Sequence, residues 1–78
     1  MKTHIMTTAA LGKVVMNARK AQQLTQSELA GLANTGRRFI SDLENGKETV
    51  QLGKVILILS QLGVAMELVR YWKGIGDE

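Results

Sequence analysis

The strongest constraint on how this chain folds is its punctuation between Leu24 and Lys47, LTQSELAGLANTGRRFISDLENGK. Two short amphipathic runs fit there, and both have marked ends. Thr25-Gln26-Ser27-Glu28 has the form of a capping box. In that arrangement the threonine hydroxyl and the glutamate carboxylate close two of the N–H groups that the first turn of a helix leaves without partners. Leu29, Leu32 and Ala33 supply the apolar stripe. The segment Ala33-Asn34-Thr35-Gly36 then stops the helix, because Asn34 tolerates a left-handed conformation and Gly36 brings no side-chain clash. A second run opens at Arg37 and reaches about Asn45, with Ile40 and Leu43 facing inward, and Asn45-Gly46 stops it.

The flanks extend the same pattern, punctuated by glycine in a chain without proline. Thr7 or Thr8 caps a helix through AALGKVVMNARKAQ, where Leu11, Val14, Val15 and Ala18 recur at helical spacing, ending near Gln22 or Gln23. A fourth helix is expected from about Gln51 to Leu62, almost wholly apolar along VILIL and terminated by Gly63. Its β-branched content also fits a strand, but the run from Gln51 is too long for a buried one. Beyond Gly63 the period changes to two, with Val64, Met66, Leu68 and Arg70 alternating against Ala65, Glu67, Val69 and Tyr71, which reads as a strand. A lone strand needs a neighbour for its N–H and C=O groups, and nothing else here reads as a second one. The economical solution is a two-fold dimer in which Val64, Met66, Leu68, Arg70 and Trp72 face the same strand of another copy. The rival is an extended arm packed on its own helices. Met6, Met16 and Met66 read as core or interface fillers.

Composition removes most other classes. With 78 residues the chain has room for one core, and a chain of this size buries only about 60–65% of the surface exposed by its unfolded form, so stability is expected to be shared with a partner. The absence of cysteine excludes disulfides and thiolate metal sites and fits a reducing compartment. The longest apolar run, Val55–Leu59, falls far short of the roughly 18 residues needed to cross a membrane. The first ten residues lack an apolar signal core, and the expectation is cytoplasmic. His4 is the single histidine, and the seven carboxylates are scattered. No triad, zinc set or acid–base pair emerges, and Gly74-Ile75-Gly76 lacks the strand-to-helix context of a phosphate loop. No enzyme, metal or cofactor is expected. Charge is uneven: residues 1–54 carry eight Lys or Arg against four acids, net +4, whereas residues 55–78 are at −1. That asymmetry suits a polyanion on one side and a protein contact on the other.

Two short helices joined by a three- or four-residue turn, the first opened by a capping box and the second by arginines, describe a helix-turn-helix. In that motif the second helix enters the major groove with its first residues at the base edges. Arg37 and Arg38 sit there, and arginine offers a bidentate fork to guanine O6 and N7.

The stretch LTQSELAGLANTGRRFISDLENGK resembles the helix-turn-helix core of the phage-repressor/Cro superfamily, often called Xre-type, and the similarity continues through VQLGKVILILSQLGVAM, covering roughly Ala9 to Met66. RRFISDLENGKETVQLGKV followed by a C-terminal strand is further similar to the small antitoxins that pair with HipA-type kinase toxins. The resemblance implies roles residue by residue. Gln26 would clamp a phosphate from the start of the first motif helix. Arg37 and Arg38 would reach bases or flanking phosphates, with Ser41 one turn beyond Arg37 on the same side. Phe39 falls where relatives often carry a small polar residue, leaving a thymine-methyl contact or packing on the preceding helix as its alternatives. Asp42 would accept from cytosine or, preferred, hold Arg38 across four residues. Asn45 and Lys47 would meet the backbone just beyond the helix. Gly36 stands where a capping Ser or Thr is common. Arg19 and Glu44 match the family's pairing between the first helix and the end of the recognition helix.

The expectation is therefore an all-α, four- to five-helix repressor-like domain with a short C-terminal strand paired across a dimer. Residues 1–8 would form a flexible N-terminus, 9–63 the DNA-binding domain, 64–73 the dimerisation strand and 74–78 a flexible tail. Its partners would be a palindromic double-stranded operator, a second copy and, if the antitoxin resemblance holds, a kinase-like toxin. A stand-alone regulator, or a protein-interaction module that no longer reads DNA, is the alternative.

Overall fold

The computed structural model describes residues 4–68. Four helices follow one another: α1 (Thr8–Ala21), α2 (Gln26–Leu32), α3 (Arg37–Glu44) and α4 (Leu52–Gln61). The capping box closes as expected, with the Glu28 amide donating to the Thr25 hydroxyl at 3.0 Å and the Thr25 amide donating to the Glu28 carboxylate at 2.8 Å. Hydrogen bonding to the carboxylate, from the Thr25 amide first and the Thr25 side chain second, holds the Glu28 carboxyl below its ordinary pKa. At α1 the Thr7 hydroxyl accepts from the Ala10 amide at 3.0 Å.

All four helices end in the same way. Beyond each C-cap one residue turns left-handed, at Gln23 (φ 59°), Asn34 (φ 53°), Gly46 (φ 82°) and Gly63 (φ 74°). The next amide then reaches back to the last turn: Leu24 to the Arg19 carbonyl, Thr35 to Ala30, Lys47 to Asp42 and Val64 to Leu59, at 2.9–3.1 Å. This is the Schellman arrangement, which satisfies carbonyls that a helix terminus would otherwise leave open. Asn34, Gly46 and Gly63 were legible as stops. Gln23 carries no such signal, since glutamine rarely occupies the left-handed region.

The core comprises Val15, Leu29, Ile40, Leu43, Val55 and Ile58, all fully buried, with Ala30, Ala33, Leu59 and Leu62 around them. α3 packs on both α1 and α2, and α2 on α4. Gly12 permits the α1–α3 approach, because a Cβ there would stand 2.5 Å from the Leu43 carbonyl oxygen and 2.6 Å from that of Glu44. Above that contact the Thr8 hydroxyl donates to the Gly46 carbonyl at 2.7 Å. The Gln22 amide similarly donates to the Leu62 carbonyl at 2.8 Å, tying the end of α1 to the end of α4.

Two expectations are corrected. Leu32 does not belong to the buried stripe of α2: it is 55% exposed, and Ala30 takes the inward place. The stripe is narrower than the apolar spacing implied because only one edge of this short helix meets α3 and α4. Met6 is 87% exposed and fills no core. The strand expected over residues 64–73 pairs with a second copy, and within the single chain its described part, residues 64–68, carries no regular secondary structure. Among the described residues no neighbouring strand is present to complete a ladder. Val64 packs against the core, Met66 and Leu68 are exposed, and Arg70 and Trp72 lie outside the described residues. No described helix is long and apolar enough to cross a membrane.

Candidate nucleic-acid interface

α2, the turn at residues 33–36 and α3 form a helix-turn-helix, and the two ends of α3 are built differently. At its C-terminal end Glu44 is buried and receives three donors. Arg19 gives Nε to Oε2 at 2.6 Å and Nη2 to Oε1 at 3.0 Å, while Gln26 Nε2 reaches Oε1 at 3.1 Å. The remaining Arg19 nitrogen donates to the Leu24 carbonyl at 2.8 Å. Burial alone would push the Glu44 carboxyl up, but the hydrogen bonds from Arg19 and Gln26 and the positive charge beside it prevail and hold it below its ordinary range. The hydrogen bond to Glu44 in turn raises the Arg19 pKa against the opposing effect of burial. A bidentate fork braced by further hydrogen bonds to each partner is the arrangement in which a buried pair holds geometry without leaving an uncompensated charge.

The N-terminal end of α3 is left open. Gly36 occupies the N-cap without a side-chain hydrogen bond. The Thr35 hydroxyl beside it is buried and unpartnered among the described residues. Arg37 and Arg38 are exposed, and among the described residues neither enters a salt bridge or hydrogen bond. Asp42 does not hold Arg38. It faces Lys47 instead, Oδ2 to Nζ 3.4 Å, because the turn at Gly46 folds the chain back over the last turn of α3. Such a long, largely exposed pair contributes little to stability. Ser41 is half-buried, and Asn45 Nδ2 lies 3.5 Å from its hydroxyl.

Phe39 is half-buried against the core, and the Lys54 ammonium lies 5.3 Å from its ring centroid. Gln26, expected to face a phosphate, spends one amide donor on Glu44. That link escaped the sequence because it joins residues 18 apart; Lys54 likewise has no local signal. Among the described residues no group of three or more His, Cys, Asp or Glu could hold a metal.

Comparison with known proteins agrees with this geometry. The helix-turn-helix family described as HTH_3 matches residues 15–69. An HTH-type transcriptional regulator of Sinorhizobium fredii (strain NBRC 101917 / NGR234), y4mF, is 48% identical over 69 residues, covering 88% of this chain and 91% of that protein. Among solved structures, the HipA-HipB-O2-O3 complex contains a chain superposing with a TM-score of 0.80 at 28% identity, over 88% of this chain and 97% of that one. A HipB-O4 20mer complex gives the same values.

Proposed function

This chain belongs to the Xre-type helix-turn-helix family of transcriptional regulators, and we propose that it is a sequence-specific repressor that acts as the antitoxin of a toxin–antitoxin pair. One observation carries the DNA-reading part: α3 is pinned at its base by Arg19, Glu44 and Gln26 while Arg37 and Arg38 stand exposed at its tip, unpaired among the described residues. A helix so held can enter a major groove without reorganising, and its two forks are free for guanine edges or phosphates. Ser41, Asn45 and Lys47 lie further along the same helix and its exit, suited to bases and flanking backbone. Gln26 retains a second amide N–H for a phosphate. Fold similarity to HipB, seen in complex with HipA, supports a kinase-like toxin as the protein partner, bound away from Arg37.

The same reading takes two copies to one palindromic operator, with half-sites about 34 Å or a multiple of that apart. An apolar groove lined by Leu52, Ile56, Leu59, Val64, Met66 and Leu68 lies open in the single chain. It supports a homodimer built on α4 and the segment that follows it. Removing both charges, Arg37→Ala with Arg38→Ala, is expected to abolish a gel shift on the chain's own upstream duplex while leaving co-purification with a co-expressed HipA-like kinase intact. An unchanged gel shift would mean that α3 does not read DNA through its tip.

A further inference from the structure

We propose that Phe39 is a positioning residue and Lys54 an additional phosphate contact: the aromatic ring on α3 holds the ammonium of α4 at the edge of the DNA-binding face. This rests on the DNA-binding reading above and assigns work to two residues which that reading leaves without any. Phe39 is the third residue of α3, next to Arg38, and Lys54 the third of α4. Their contact, 5.3 Å from ammonium to ring centroid, crosses the junction between the two helices. The ring is fixed by its packing against the core. Lys54 is exposed and, among the described residues, has no carboxylate partner.

The choice of partner matters electrostatically. Lys47, the neighbouring cation at the other end of α3, faces Asp42 at 3.4 Å and is partly neutralised by it. An aromatic face attracts an ammonium through its quadrupole and restricts where it can go, yet adds no negative charge. Lys54 therefore keeps its full charge while losing much of the freedom that an exposed lysine would have to give up on meeting a phosphate. Together with Arg37 and Arg38 it widens the cationic surface from the tip of α3 onto α4. Sequence-independent attraction of this kind is the part of DNA binding that salt weakens.

The test is a double-mutant cycle read by fluorescence anisotropy on the chain's own upstream duplex and a scrambled duplex, over a series of salt concentrations. Lys54→Met keeps the apolar stem on an exposed site. It should weaken binding equally on both duplexes and make the slope of log K against log salt shallower by about one unit. Phe39→Leu keeps apolar packing and removes the ring. It should weaken binding by about two- to fivefold when Lys54 is present and have no further effect when Lys54→Met is already in place. Phe39→Tyr, which restores an aromatic face, should restore affinity. A slope unmoved by Lys54→Met, or a Phe39→Leu effect of equal size with and without Lys54, overturns the inference while the DNA-binding reading stands. A wild-type chain that binds neither duplex overturns both.

Discussion

The two ends of α3 solve opposite problems. At the C-terminal end every nitrogen of the Arg19 guanidinium donates a hydrogen bond, Glu44 is buried beneath it, and Gly12 lets α1 approach to where a single methyl group would collide with two backbone carbonyls. At the N-terminal end Gly36 leaves the helix uncapped, with nothing within 4 Å of where its Cβ would be, and two arginines have no partner among the described residues. The contrast teaches that rigidity and availability are separated along one eight-residue helix: the base fixes orientation, and the tip keeps its hydrogen-bonding capacity for something outside the chain.

The comparison can be broken most forcefully at the base. Arg19→Ala leaves Glu44 buried with two of its three donors gone, and thermal denaturation should show a loss of about 3 kcal/mol, on the order of 15 °C in Tm. An unchanged midpoint would mean the pair contributes nothing net. Gly12→Ala should cost about 2 kcal/mol, since backbone atoms rather than flexible side-chain ends must give way; a wild-type melting curve would show that α1 and α3 can separate freely. Acid should weaken the same end. Because the folded Glu44 pKa lies below its unfolded value, its contribution is fully present above about pH 4.3 and is lost as pH falls through the folded value. Glu44→Gln should flatten that part of the stability–pH curve.

Changes at the tip should be small in stability. Arg37→Ala should move it by less than about 0.5 kcal/mol, whatever it does to DNA. Gly36→Ser adds a side-chain cap without a clash and should stabilise by a few tenths of a kcal/mol at about unaltered fold. A tip substitution as costly as Arg19→Ala in urea denaturation would erase the distinction between the two ends.

How much of this was legible follows from what is local. The capping box at Thr25, the stops at Asn34, Gly46 and Gly63, and the inward positions Leu29, Ile40 and Leu43 are written in residues a few positions apart, where helix geometry alone relates them. The pairing of Arg19 with Glu44 came from resemblance, since spacing cannot relate residues 25 apart. What escaped was tertiary. Periodicity placed Leu32 on a stripe without saying which edge of it would be covered. The i, i+4 rule offered Arg38 to Asp42, but the reversal at Gly46 delivers Lys47. Nothing near Phe39 announces Lys54, and nothing in Gln23 announces a left-handed turn.

The most direct measurement of the central claim is fluorescence anisotropy of the protein on a duplex from its own upstream region beside a scrambled duplex, at two salt concentrations. An α3 tip that reads sequence predicts a preference for the native duplex of roughly a thousandfold or more. Equal and steeply salt-dependent affinities for both duplexes would contradict it, reducing Arg37 and Arg38 to phosphate attraction.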